Sequence, residues 1–290
     1  MPPTPPTPTG YAVVTGAASG IGRAIADQLA AAGWTVARVD CTEAESPDAV
    51  RCDVAQQDDW LALEADLRQR WPRLDLLVNC AGMLVGGVLV DCPLEALTRV
   101  IDVNLRGTLL GCRVLGPWLI ESGGLRPAGL RPRAGIVNVS SIFAAVTPPG
   151  FAAYNASKAG VLALSESLRP ELAPHGLNVT VIAPGVVRTP LFKRSWFATD
   201  AFRDASGRFY DSAQLTPEQV AALALAAAAK GEAVAVLGGR AQRMWLLKRL
   251  CPGVLRLYVE RRAAKELAGM TQPAAAGSNA DAQRDAAGVG

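Results

Sequence analysis

An α/β fold is predicted, a single domain on a doubly wound parallel sheet followed by a basic helical extension, and three features carry the expectation. Short β-branched, apolar runs alternate with helical patterns. A glycine-rich turn joins the first run to the first helix. At 290 residues, half of them hydrophobic, the chain is long enough for one large α/β domain.

Taken in order, residues 1–9 have neither the basic start nor the apolar stretch of a secretory signal, so a disordered lead and a cytoplasmic location are expected. Tyr11 to Thr15 reads as the first strand, Ile21 to Ala32 as the first helix and Trp34 to Asp40 as the second strand. Further strands are expected at Leu74 to Asn79, Gly135 to Ser140 and Asn178 to Ala183, with helical patterns between most of them. Glu121 to Arg133, rich in Gly, Pro and Arg, reads as an exposed loop. The domain should span 10–238, the extension 239–268, and a disordered tail 269–290.

The net charge of +3 is unevenly placed: residues 240–265 hold eight Arg or Lys against one Glu, a local charge of +7. This argues against a general nucleic-acid surface and points to one C-terminal feature. No apolar run reaches the roughly 18 residues of a membrane span. The six cysteines, Cys41, Cys52, Cys80, Cys92, Cys112 and Cys251, contain no C-x-x-C pair, and His175 is the one histidine. No zinc site is expected, and the thiols read as reduced and mostly core residues.

The segment Thr15-Gly16-Ala17-Ala18-Ser19-Gly20-Ile21-Gly22 lies where a parallel sheet offers backbone N–H groups and a positive helix end to a pyrophosphate. Glycine is needed there because a Cβ would block close approach. The spacing is G-x-x-x-G-x-G rather than the general G-x-G-x-x-G. The second strand ends in Asp40, 18 residues after Gly22, where a carboxylate would bind ribose hydroxyls and repel a 2′-phosphate. With Ala18 where a basic residue could have neutralised a phosphate, NAD is favoured over NADP.

Tyr154 and Lys158 stand four apart, so on a helix they leave the same face. A nearby ammonium stabilises a phenolate and would make Tyr154 a usable base. Together with TGAASGIG, Asn79-Cys80-Ala81-Gly82, the DVNLRG segment around Asn104, IVNVSS and Pro184-Gly185-Val186-Val187-Arg188-Thr189, in that order, this pair closely resembles the short-chain dehydrogenase/reductase family over roughly residues 10 to 190. The resemblance implies a Rossmann-type sheet and an enzyme moving a hydride between a nicotinamide cofactor and a CH–OH or carbonyl carbon. By it, Tyr154 is the acid/base, Lys158 holds the nicotinamide ribose and tunes Tyr154, and Asn104 supports a water relay to Lys158. Ser141, 13 residues before the tyrosine, is the carbonyl-polarising hydroxyl. Gly16, Ser19, Gly20, Ile21 and Gly22 cradle the pyrophosphate, while Asp53 and Val54 flank the adenine. Asn79, Ala81 and Gly82 line the adenosine side. Pro184, Gly185 and Val187 lead to Thr189 at the carboxamide. The resemblance also implies a homodimer through helices around Leu94 to Trp118 and Ala152 to Leu172.

Three departures stand out. Cys80 replaces the usual asparagine, with local hydrogen bonding alone expected to change. Only 12 residues separate Asp40 from Asp53, so the helix usual there should be reduced or absent. Lastly, Gly238-Gly239-Arg240 leads into a basic Leu- and Trp-bearing extension in place of a short ending. Two readings of residues 240–262 stand: a helix packed on the domain or on a partner subunit, favoured by an imperfect apolar arc, and peripheral membrane contact. Pro252-Gly253 should divide it into two pieces. The aromatic residues Phe192, Trp196, Phe197, Phe202, Phe209 and Tyr210, with Val146 to Phe151, suit a pocket and lid for a bulky apolar substrate, or the burial of that lid on the core. A non-catalytic nucleotide sensor would not need the intact Asn104, Ser141, Tyr154 and Lys158 set. A serine hydrolase would have to rely on His175, which sits in a turn.

Overall fold

The computed structural model describes residues 9–42, 48–123 and 135–268. The expected lead before residue 9, the tail 269–290 and most of the loop expected at 121–133 lie outside the described residues.

Seven strands form one parallel sheet: β1 (Tyr11–Thr15), β2 (Thr35–Asp40), β3 (Ala49–Arg51), β4 (Leu76–Asn79), β6 (Gly135–Val139), β7 (Asn178–Pro184) and β9 (Val234–Leu237), in the spatial order β3-β2-β1-β4-β6-β7-β9. Val13 pairs with Ala37 on one side and Leu77 on the other, which fixes β1 between β2 and β4. From β1 the chain moves outward to β3 and then returns across β1 to β4, so the strand order reverses at β1/β4. A crevice opens at the carboxyl ends of strands at such a reversal. This is a Rossmann-type sheet. The interior strands read as continuous apolar runs because both faces are covered, and β4 and β6 are buried along their whole length.

One face of the sheet is covered by α1 (Gly20–Ala31) and α7 (Pro217–Lys230), whose Ile25, Leu29, Val220 and Ala224 meet Ala12 and Val14 of β1. The other face is covered by α2 (Gln57–Arg70) and α4 (Gly107–Ser122). There Trp60, Leu67, Leu115 and Leu119 meet Val13 and Leu77. Alternation along β1 sends neighbouring residues to opposite layers. The helix ends follow local chemistry. Thr216 and Gln219 form a capping box before Pro217, and Gly231, at φ 69°, closes α7.

A third cluster lies at the crevice. α3 (Leu94–Ile101), the start of α5 (Ala152–Leu172), the small parallel pair β5 (Val85–Gly86) with β8 (Trp196–Phe197), and α6 (Asp200–Asp211) gather Leu84, Val100, Tyr154, Phe197 and Phe202. Between Asp40 and Asp53 the chain forms the short β3, and residues 43–47 lie outside the described set. The extension folds as α8 (Gly239–Leu250) and α9 (Pro252–Ala268), divided at Cys251-Pro252 as the proline requires. α8 packs on β9 and on the 3₁₀ turn Ile142–Ala144.

Candidate active site

At the strand-order reversal, the ends of β1 and β4 are tied together by one side chain. Thr15 Oγ1 accepts hydrogen bonds from Cys80 N (2.9 Å) and Ala81 N (3.0 Å). Sequence reasoning did not single out Thr15; its signal was a polar residue closing a buried strand just before the first glycine. Behind this tie the loop has no room for side chains. A Cβ on Gly16 would lie 2.9 Å from the Ala81 backbone, and one on Gly22 2.3 Å from Gly16 O. Gly16 and Gly20 also adopt positive φ, 68° and 56°. Ser19 is the extended residue before α1, and the first turn of that helix carries no acidic residue, so its positive end stays uncompensated. Ile21 is partly buried beneath the loop.

Asp40, at the end of β2, is fixed by its neighbours. Its Oδ2 accepts from Ala18 N at 3.0 Å, and its Oδ1 accepts from Thr42 N and Thr42 Oγ1. Arg38, two residues earlier on the same strand face, is drawn away to Asp27 at 2.7 Å. Asp53 binds Ala55 N with one oxygen and Arg99 with the other, 2.8 Å away. Arg99 was not foreseen, because it lies on α3, 46 residues away in sequence. A cavity of about 490 Å³ opens here, lined by Cys41, Val50, Arg51, Asp53, Asp59 and Arg99 among others. Val54 turns into the core against Gly107.

Asn79 departs from expectation. Its side chain, expected on the adenosine side, is a strut inside the core: Nδ2 donates to Asn138 Oδ1 at 2.9 Å, and a Cβ on Gly111 would sit 2.5 Å from Oδ1. Alternation along β4 turns this position toward α4 and away from the crevice. Cys80 is tied into the crevice through its backbone, and burial pushes its thiol up to about 12.

Ser141, Tyr154 and Lys158 are brought together on the carboxyl side of β6. Tyr154 and Lys158 share the inner face of α5 and are buried, with Lys158 Nζ 5.8 Å from the Tyr154 ring centre. Lys158 Nζ donates to Val139 O at 2.9 Å, and the buried Ser141 hydroxyl accepts from Phe143 N at 3.2 Å. Burial pushes the Tyr154 phenol up to about 12, opposed by the nearby Ser141 hydroxyl, which favours the phenolate. Burial also pulls Lys158 down to about 8. The expected lowering of Tyr154 by the ammonium is not realised: desolvation dominates the tyrosine, and Lys158 is aimed at the Val139 carbonyl instead.

Asn104 lies in a π-helical turn, Asp102–Arg106, between α3 and α4. Its Oδ1 accepts from Met83 N (2.8 Å), and its Nδ2 donates to Met83 O (3.0 Å) and Ser157 Oγ (2.9 Å). Its side-chain amide is thus committed to Met83 and Ser157. Gly82 separates it from Lys158: a Cβ there would lie 3.2 Å from Asn104 Oδ1 and 3.4 Å from Lys158 Nζ.

The far wall comes from the strand-end loop after β7. Gly185 N donates to Leu237 O, and Val187 is buried. Thr189 approaches the glycine loop, since a Cβ on Gly20 would be 3.3 Å from its Cβ. Thr189 is clamped from the lid by Tyr210, whose hydroxyl receives Thr189 N and donates to Thr189 O. Phe197 and Phe202 are buried in the lid, Phe151 meets Phe202, and Phe143 meets the Tyr154 ring edge-on at 6.0 Å. The aromatic set therefore both buries the lid and reaches the tyrosine. The Phe209 side chain lies outside the described residues. Thr147 to Gly150, expected as pocket wall, instead border a cavity of about 430 Å³ with Ala152, Asn155, Ala156 and Ala159, on the face of α5 turned away from Tyr154.

Residues 10–199 match the family model described as short chain dehydrogenase. The chain is 36% identical over 197 residues to the 2-(R)-hydroxypropyl-CoM dehydrogenase of Xanthobacter autotrophicus, covering 62% of this chain and 75% of that protein. Among solved structures, a short chain dehydrogenase/reductase from Burkholderia phymatum in complex with NAD superimposes with a TM-score of 0.72 at 26% identity, covering 83% of this chain and 92% of that one. One from Burkholderia cenocepacia in complex with NADP does so at 0.71 and 26%, covering 87% and 98%. A nicotinamide cofactor and a reaction at a CH–OH or carbonyl carbon follow from these likenesses, and the chain belongs to the short-chain dehydrogenase/reductase family.

Proposed function

We propose that the chain uses NAD to interconvert a secondary alcohol and a ketone that are bulky and apolar, with Tyr154 as the proton-transfer residue. The observation that carries this reading is the burial of Ser141, Tyr154 and Lys158 together at the end of β6, with Lys158 Nζ 5.8 Å from the Tyr154 ring centre and Gly82 beside it. A nicotinamide held in the crevice supplies the hydride acceptor or donor. In oxidation Tyr154 takes the hydroxyl proton while Ser141 holds the same oxygen; in reduction Tyr154 returns it. Lys158 offers a cation within reach of the ribose and the phenolate, and Asn104 holds the Met83 and Ser157 side of the site in place. The close loop at Gly16, Gly20 and Gly22 fits a pyrophosphate, Asp40 the adenosine ribose, Asp53 the adenine rim and Thr189 the carboxamide.

Solved relatives include both NAD and NADP complexes, so the choice of cofactor rests on Asp40. Its carboxylate is held at the end of β2 against Ala18 N of the glycine loop, and the arginine on the same strand face is paired elsewhere. Phe143 against Tyr154 and the aromatic lid favour a bulky apolar substrate. Pairing of two copies through α4 and α5 belongs to the same proposal. The test is kcat/KM for NAD and NADP across steroid, retinoid, acyl-chain and sugar alcohols, with wild type and Asp40→Ala. NAD should be preferred with the apolar alcohols, and Asp40→Ala should narrow the preference about tenfold or more, since like charges cost several kcal/mol at close range. A wild type that prefers NADP, or that turns over sugars alone, contradicts the reading.

A further inference from the structure

We propose that the α8–α9 hairpin is a docking surface for an anionic lipid bilayer, seated beside the crevice. The inner sides of the two helices already have partners: Ala241 and Leu255 are buried, and a Cβ on Gly185 would touch Ala241 at 3.3 Å. The outer sides are nevertheless apolar. On α8, Leu246 and Leu250 are 56% and 70% exposed; on α9, Val254, Leu257 and Tyr258 are 59%, 47% and 45% exposed. Arg243, Leu246 and Leu250 share one helix face by spacing, as do Val254, Leu257, Tyr258 and Arg261. Leu250 and Val254, on either side of the turn, are both exposed. This explains why α8 lacks a single apolar arc in its sequence: one apolar side faces the domain and another faces outward.

Charge selects the occupant. From 239 to 261 the hairpin carries Arg240, Arg243, Lys248, Arg249, Arg256 and Arg261 against Glu260, a net +5. Two copies of this surface set face to face would oppose +5 with +5, whereas anionic headgroups complement it, and the exposed leucines enter the headgroup–acyl boundary. Among the described residues no helix is long and apolar enough to cross a membrane, so the contact is peripheral. Because the inner side of α8 packs on Ile142–Ala144, directly after Ser141, the docking element also supports the turn that carries Ser141.

The test uses the purified full chain and phosphatidylcholine vesicles with and without phosphatidylserine, at low and high salt. It is independent of turnover, so its failure is distinguishable from failure of the cofactor or substrate reading. The chain should sediment with the phosphatidylserine vesicles at low salt. The double variant Arg243→Gln, Arg249→Gln should weaken binding about 25-fold, roughly fivefold per cation removed. Leu250→Gln with Leu257→Gln should weaken it about tenfold, because exposed leucines add insertion to attraction. Both variants should keep wild-type turnover of a soluble substrate. No sedimentation, or equal sedimentation of wild type and variants, overturns the proposal. So does equally tight binding to polyglutamate that the leucine substitutions leave unchanged, which would mark an acidic protein partner. A light-scattering mass that falls on leucine substitution without vesicle binding would assign the face to a second copy, and also overturns it.

Discussion

Tyr154 and Lys158 are buried titratable groups whose neutral forms the protein favours, and each shift has a consequence for stability. Lys158 is pulled from 10.5 to about 8, so between those values the unfolded chain binds more protons than the folded one. Folded stability from this group therefore rises as pH climbs from about 8 toward 10.5, by about 2 kcal/mol between pH 8 and 10. Lys158→Met removes that rise. Thermal melts of wild type and variant at pH 7, 8, 9 and 10 should show their difference shifting toward wild type with pH, whatever Met costs by orphaning Val139 O. Tyr154 works in the opposite sense: raised to about 12, it costs the folded state stability above pH 10. The Tyr154 and Lys158 pairing was legible in the sequence because a four-residue spacing on a helix shares one face, whereas Ser141 was picked out only by the family resemblance. Thr15 and Arg99 were not legible: their partners lie 65 and 46 residues away, and only the folded sheet brings them together; Tyr210 was expected in the lid, but not its clamp on Thr189, 21 residues away.

At the scale of elements, strand–helix alternation is a local signal, and the five expected strands fall within a residue or two of their places, while the short β3 and the edge strand β9 were not foreseen as strands. What alternation cannot reveal is a two-residue pair such as β5 with β8, which exists because lid and crevice meet, or the π-helical turn that presents Asn104. Nor does period-two patterning within an all-buried strand say which face Asn79 takes. The glycine loop gives the sharpest element-level test. At Gly22 a Cβ would collide with the Gly16 carbonyl at 2.3 Å, and backbone cannot yield as a side chain can. Gly22→Ala should weaken NAD binding at least about tenfold by fluorescence titration while far-UV circular dichroism stays near wild type. Gly239→Ala is the control. Nothing lies within 4 Å of its Cβ position, at the first residue of α8, and it should leave NAD binding unchanged and raise stability by up to about 1 kcal/mol.

Across the whole molecule, two apolar layers hold the sheet rigid while a third, aromatic cluster joins α3, α5 and the lid around Tyr154. Tyr154, the proposed acid/base group, is thus set on a long helix packed against β7, and the aromatic cluster beside it holds Phe197 and Phe202, with Tyr210 clamping Thr189. The central claim, that Tyr154 transfers the proton within an otherwise complete cofactor site, is tested most directly by Tyr154→Phe, with NAD affinity and turnover of the best alcohol measured on the same preparation. NAD affinity should stay within about twofold of wild type while turnover falls at least about 10²-fold, the lower scale of general acid–base catalysis. Turnover within a few-fold of wild type, with NAD still bound, would contradict the account.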